Sequence, residues 1–221
     1  MKTLVIGSLT ATLITGCATT ETNRAITPIQ ITSASSNYNG LKTTVSVGKF
    51  ENRSGYMRGI FSDNTDRLGG QAKTVLETHL QQSGYFSVLN RDNLNEIKQE
   101  VGFSGAQQSI KGARYVITGD VSEFGRKEVG DQQLYGILGR GKSQIAYAKV
   151  NLNIVDVKTS EIVQSSVGAG EYELGDREIL GFGTTATYDS TLNGKVLDLA
   201  IREAVSNLIT SVQSGTWNPQ R

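Results

Sequence analysis

Apolar residues in the first half of the chain recur with period two and then with helical spacing. Val45 and Val47 alternate with small and polar residues, which predicts a strand. The stripe that follows predicts a helix that has Asp63 or Asn64 as its N-cap and ends at Gly84. Its members are Leu68, Ala72, Val75, Leu76 and Leu80. Residues 43–84 are therefore expected to form a strand followed by a helix.

Helices and strands continue to mix along the body. A short strand is predicted at 85–89, a helix carrying Leu94 and Ile97 follows caps at 90–92, and a strand covers 115–121. One apolar stripe defines the last helix. It consists of Leu197, Ile201, Ala204, Val205, Leu208 and Val212. Because there is no regular βαβ repetition, the predicted fold class is α+β.

Residues 122–190 carry many Gly, Ser and Thr residues and predict two long β-hairpins. The first has a Gly-rich turn at 136–143, and the second runs over 162–188 with its bend near 175–177. One face of the strand after the first turn is apolar throughout. It comprises Ala146, Ala148, Val150, Leu152 and Ile154. Weakly alternating strands of about ten residues are typical of membrane β-barrels, while soluble hairpins in an elongated sheet remain the alternative.

We assign the two candidate membrane hairpins to about 122–151 and 162–190. If they serve assembly in a membrane, segments 126–149 and 164–187 are expected to be dispensable for the fold of the body.

The N-terminus has the pattern of a bacterial lipoprotein signal. Lys2 precedes a short apolar stretch, and the sequence Ile-Thr-Gly-Cys that ends at Cys17 resembles a lipobox. The expected chain has a signal peptide at 1–16, an acylated polar tether at 17–41 and a domain at 42–221. Ala18 is not the Asp that is associated with inner-membrane retention, so we expect a lipid anchor at Cys17 in the outer membrane.

Composition excludes several functional classes. Lys plus Arg number 22 against 21 Asp plus Glu, so the broad basic surface of a nucleic-acid-binding protein is not expected. Cys17 as the single Cys excludes a disulfide framework, and His79 as the single His argues against a multi-His metal site. We therefore expect no cofactor, no metal and no nucleic-acid partner.

Candidate chemistry elsewhere is weak. Gly136 to Ser143 satisfies the phosphate-loop pattern G-x-x-x-x-G-K-S, but the residues that follow alternate like a strand rather than a helix. His79 has no second His or thiol nearby in sequence and is interpreted as structural. Trp217 is expected to pack the end of the last helix against the body. With no catalytic constellation, the chain is not expected to be an enzyme.

Five segments together resemble the curli secretion channel lipoprotein family (CsgG). They occur in the family's order, and the most characteristic contains the sequence VNLNIVDVKTSEIV. The segments are 45–55, 80–97, 113–124, 146–163 and 197–209. The resemblance implies a periplasmic α+β domain that contributes two β-hairpins to an oligomeric outer-membrane β-barrel. Four strands per subunit, set against about 36 strands in the largest known barrels, imply a ring of roughly nine subunits.

The resemblance also implies a function and a site. The implied function is secretion of unfolded curli-like protein subunits from the periplasm, with possible accessory factors as partners. Ile60, Asn64 and Thr65 match the family's three pore-constriction positions, and Phe61 lies beside the first. The family has aromatic residues at two of these positions, and this chain has none there.

Two alternatives to a secretion channel remain open at the level of sequence. One is a holdfast-type lipoprotein that anchors surface polysaccharide, which uses the same architecture. The other is a periplasmic lipoprotein that regulates peptidoglycan synthesis, which would not need a hairpin region between Val121 and Leu192.

Overall fold

The computed structural model describes residues 38, 40–56, 65–132, 140–177 and 192–220. These residues form strands β1 (Thr43–Asn52), β2 (Phe86–Val88), β3 (Tyr115–Gln132), β4 (Arg140–Asp156) and β5 (Ile162–Arg177). They also form helices α1 (Arg67–Gln82), α2 (Leu94–Ser104) and α3 (Leu192–Gln213).

The five strands make one mixed sheet in the order β2-β1-β3-β4-β5. Both β2 and β3 run parallel to β1, whereas β4 is antiparallel to β3 and to β5. The pairing of β1 ends where Asn52 lies opposite Val121. Beyond this level three strands continue alone, and we call 122–132, 140–149 and 169–177 the strand extension. The predicted mixture of helices and strands is confirmed, and β3 and β4 pair antiparallel as the first predicted hairpin requires. Of its predicted turn at 136–143, residues 140–143 belong instead to β4, and 136–139 lie outside the described residues.

The core lies between one face of the sheet and helices α1 and α3. On β4 every second residue from Ala146 to Ile154 is buried, as the alternation predicts. The predicted stripe of α1 is buried except for the half-buried Val75, and that of α3 is buried except for the half-buried Val212. No residue of α2 is buried, so this helix adds nothing to the core.

Helix α3 approaches β5 so closely that two backbones touch. A Cβ added at Gly168 would lie 2.9 Å from the Cα of Ala204 and closer still to the carbonyl oxygen of Ala200. Ser166 Oγ donates to the Ala204 carbonyl at 2.6 Å. Gly168 therefore sets the distance between helix and sheet.

Two expectations about the hairpins are wrong. Ala146 and Ala148 of segment 126–149 are buried in the core, and Ser166 and Gly168 of segment 164–187 pack against α3, so these segments are not dispensable for the body. The predicted bend at 175–177 is instead a continuation of β5, paired with 141–143 of β4. The chain reverses earlier, in a tight turn after β4, where Asp156 Oδ1 accepts hydrogen bonds from the N–H groups of Lys158 and Thr159. Because β5 then runs back along the whole of β4, residues 175–177 remain part of the strand.

An aromatic cluster closes the end of the sheet at which β1 begins. Trp217 is buried, with its ring centroid 5.5 Å from that of Tyr115 and 6.4 Å from that of Phe86. Beyond it Gln220 Nε2 donates to the Leu41 carbonyl at 2.9 Å. The predicted packing of Trp217 is confirmed, and the C-terminal segment is fastened to the residues that precede β1.

Candidate functional site

The segment between β1 and α1 contains the residues that the resemblance assigns to a pore constriction. Ile60, Phe61 and Asn64 lie outside the described residues, as does Cys17. Thr65 is described and exposed, and it directly precedes Asp66, the N-cap residue of α1. The structure describes the residues on either side of 57–64, and we call these the loop base.

Asp66 fastens the C-terminal side of the loop. Its Oδ1 accepts from the Gly69 N–H at 2.8 Å, and its Oδ2 accepts from the Asn52 N–H at 2.7 Å. One carboxylate therefore joins the end of β1 to the first turn of α1. Asp66 is the N-cap, so the prediction of Asp63 or Asn64 is wrong. Asp66 reaches the free N–H of Gly69 three positions on, which is the usual capping distance.

A compact turn fastens the N-terminal side of the loop. Asn52 Oδ1 accepts from the N–H and the Oγ of Ser54, at 3.0 and 2.6 Å. Asn52 Nδ2 donates to the Tyr56 carbonyl at 2.8 Å. Asn52 and Ser54 are both buried, so these bonds replace water that the two side chains have lost.

Tyr56 connects the loop to the strand extension and to α3. Its hydroxyl accepts from Asn193 Nδ2 at 2.6 Å, and Asn193 Oδ1 accepts from Arg126 Nε at 2.8 Å. The Tyr56 ring also meets Phe124 edge-on, with centroids 4.7 Å apart. The loop base, the start of α3 and the foot of the extension are thus one hydrogen-bonded and packed unit.

The sheet face opposite α1 and α3 carries charged residues that are paired with one another. Arg53 lies 3.6 Å from Glu51 and 4.0 Å from Asp120, which in turn accepts from Asn151 Nδ2 at 3.0 Å. A hydrogen bond from Lys49 lowers the pKa of the Glu51 carboxyl. Further along, this face carries the ion pairs Lys149–Glu123 and Lys127–Glu171.

Three features that bear on catalysis or ligand binding can be located in the described part of the chain. His79 is buried between α1 and α3, and its Nε2 lies 2.8 Å from Asp198 Oδ1, which fits the structural interpretation. Gly141 to Ser143 lie within β4 and not at the start of a helix, so the phosphate-loop pattern has no phosphate-binding geometry there. No group of three metal-ligating side chains occurs among the described residues. None of the helices described is both long enough and apolar enough to cross a membrane.

Sequence reasoning missed the residues that hold the loop base. The pattern along the chain singles out Asp63 and Asn64 as caps, and it marks neither Arg126 nor Asn193. A local signal existed for Asp66, since an Asp three residues before a helical N–H is a common cap, and the missing Cβ of Gly69 leaves room for the Asp66 carboxylate. The contact between Tyr56 and Asn193 joins residues 137 positions apart and has no local signal.

Comparison with known proteins identifies the class. The family model of the curli production assembly/transport component CsgG matches residues 24–221. The Neisseria meningitidis serogroup B protein named "Putative lipoprotein NMB1126/NMB1164" is 61% identical over 221 residues, which is 100% of this chain and 99% of that protein.

The similarity to solved structures is low. A PelC dodecamer from Paraburkholderia phytofirmans is 17% identical with a TM-score of 0.39, covering 75% of this chain and 88% of that one. Lipoprotein GNA1162 from Neisseria meningitidis is 14% identical with a TM-score of 0.36, covering 78% of this chain and 99% of that one.

The family model and the Neisseria meningitidis relative, and not the solved structures, decide the class. The chain belongs to the CsgG family, which confirms the resemblance drawn from its five segments.

Proposed function

We propose that the protein is an outer-membrane lipoprotein whose copies assemble into a ring that forms a channel for unfolded, curli-like protein subunits. The role is passive and involves no catalysis. The family description as an assembly and transport component supports transport as the class of function. Barrel formation, subunit number and the nature of the cargo are parts of the proposal.

The strand extension is the observation that carries this proposal. Strand β3 continues for 11 residues beyond Val121, from 122 to 132, without any pairing to β1. At about 3.3 Å per residue, 11 residues reach roughly 36 Å, or roughly 28 Å along an axis tilted by about 40°. A barrel strand needs about 9–11 tilted residues to cross the hydrocarbon layer. The first residues of the extension still contact the body, since Phe124 and Ala146 are buried and Arg126 bonds Asn193 of α3. The described extension therefore supplies part of the length that a barrel wall needs.

The loop base supports the second part of the proposal, a constriction. Asp66 and Tyr56 hold the two sides of the 57–64 loop, and Tyr56 is tied through Asn193 to the foot of the extension. A loop that is fixed at the point where the extension leaves the body would, in a ring, be repeated around the entrance of the channel. A narrow polar collar would pass an extended chain and stop a folded one.

The test begins with the lipidated protein extracted in detergent. We expect negative-stain images to show rings and planar bilayers to show stepwise conductance. Particles of monomer size, without conductance, would instead favour the non-channel alternative of a periplasmic regulator. Rings that fail to conduct when reconstituted would refute the channel but not the assembly.

A further inference from the structure

We propose that the end of the body opposite the strand extension binds an acidic polypeptide segment that carries apolar side chains. Three places at this end have an apolar residue followed directly by a lysine, and we call these six residues the basal rim: Leu41–Lys42, Ile110–Lys111 and Val157–Lys158. The proposal rests on the proposed function, because it names the kind of chain that would reach the channel from this side.

Two pairs of the basal rim flank the ends of β1 and β4, and the third belongs to the segment that leads into β3, where the Lys111 carbonyl accepts from Arg91 Nη2 at 2.6 Å. Leu41 and Lys42 directly precede β1, and Val157 and Lys158 directly follow β4. Between them the Arg114 N–H donates to the Thr44 carbonyl at 3.0 Å, and the Val157 N–H donates to the Arg114 carbonyl at 3.1 Å. Ile110 and Lys111 lie three to four residues before Arg114.

The apolar members of the rim are exposed. Leu41 is 78% exposed, Ile110 53% and Val157 50%. Single exposed aliphatic residues are ordinary on a protein surface, but three that share one end of a sheet make an apolar surface suited to a partner.

The lysines of the rim differ from those of the sheet face. Lys49, Lys127 and Lys149 each form an ion pair with a neighbouring glutamate on that face. Lys42, Lys111 and Lys158 form no ion pair within the described residues. Three lysines without a counter-charge, beside exposed aliphatic side chains, are complementary to a partner with carboxylates and apolar groups.

The geometry favours an extended polypeptide over a lipid surface. The 17 residues of β4 separate the rim from the far end of the extension by roughly 50 Å at about 3.3 Å per residue. That exceeds the roughly 30 Å hydrocarbon core, so a rim in the same membrane as the extension is not possible. The strand ends that carry the rim are about 4.8 Å apart, and crossing two such spacings takes about three residues of an extended chain.

The test measures binding of a labelled peptide to the lipidated full chain in detergent, by fluorescence anisotropy. The probe is a 20-residue peptide of Gly, Ser, Glu and Leu, and a second peptide has every Glu replaced by Gln. One variant carries Lys42→Gln, Lys111→Gln and Lys158→Gln. The matched control carries Lys49→Gln, Lys127→Gln and Lys149→Gln and has the same change in net charge.

We expect the rim variant to bind the Glu peptide about tenfold more weakly and the control variant to change by less than about twofold. The Gln peptide should bind weakly to all three proteins. Equal weakening in both variants, or equal binding of both peptides, would overturn the proposal. So would displacement of the Glu peptide by mixed micelles of phosphatidylglycerol but not of phosphatidylcholine, since the rim would then be a site for anionic lipid.

Particle size is measured on the same samples, which separates this inference from the proposed function. A monomer whose peptide binding still depends on the rim lysines would refute the ring and leave the rim as a polypeptide site. A conducting ring with no rim-dependent binding would refute the rim alone.

Discussion

Replacing Gly168 by Ala tests whether backbone contact between α3 and β5 sets the packing of the core. The added Cβ would lie 2.9 Å from Ala204 Cα and closer still to backbone atoms of Ala200 and Ala204, none of which can move without shifting the helix. Overpacking of this kind typically costs 1–3 kcal/mol, and contact with backbone points to the upper end, about 3 kcal/mol. For a domain of this size that corresponds to a fall in melting temperature of roughly 6–12 °C.

Gly70→Ala is the matched control, because it makes the same chemical change in α1 with no atom within 4 Å of the new Cβ. Removing a glycine from an exposed helix position should raise stability by about 0.5–1 kcal/mol. Melting would be followed by circular dichroism and by fluorescence of the buried Trp217, at a fixed protein concentration. The reasoning fails if Gly168→Ala melts within about 2 °C of the original protein, or if both variants shift in the same direction.

Four further predictions concern the anchor, the loop and titration. Cys17→Ser should abolish acyl labelling and leave unprocessed precursor, and labelling that persists would disprove the lipobox interpretation. Asn64→Arg should shift the channel strongly towards anions in planar bilayers with rings intact, because the charge would be repeated around the collar; unchanged selectivity in a confirmed ring would remove the loop from the pore. Asp66→Asn should lower the free energy of unfolding by about 1–2 kcal/mol, measured by urea titration, since two carboxylate hydrogen bonds fasten the loop there; a change below about 0.3 kcal/mol would contradict this. Burial raises the pKa of Glu77 above its ordinary 4.5, so the folded state favours the protonated form and loses stability as pH rises above that value. Glu77→Gln should therefore gain stability relative to the original protein as the pH rises above about 4.5, and a difference that does not change with pH would refute the burial argument.

Local patterns were sufficient for the body of the fold. The period of two around Val45 and the stripes of α1 and α3 each reflect one buried face, which a single segment encodes by itself. The alternation from Ala146 to Ile154 correctly predicts one buried face, but it does not tell whether lipid or a helix covers that face. A face of small and apolar residues suits lipid as well as the underside of a helix, and only α3 lying on it decides between them.

The loop base was beyond the reach of sequence because its contacts are long-range. Asp66 bonds Asn52 across 14 positions, and Asn193 bonds Tyr56 across 137. Polar side chains such as these carry no periodicity, so nothing in their spacing marks them as partners. The placement of the helix start was wrong for the same reason, since Asp66 is selected as the cap partly by its bond to the end of β1.

Gln220 is hydrogen-bonded to the residues at the start of the body, which bears on where a predicted N-terminal anchor could be attached. Gln220 Nε2 donates to the Leu41 carbonyl at 2.9 Å and lies 3.2 Å from Thr43 Oγ1, so positions 179 residues apart in sequence are neighbours in space. A linker of a few residues could join them, and new termini could be opened at an exposed turn, as in circular permutation. The two ends of the body, Leu41 and Gln220, therefore lie side by side, as if the chain between them were a closed loop. A lipid anchor at the predicted site, Cys17, would then be an appended module, and its point of attachment to the body could be moved around that loop without redesigning the sheet.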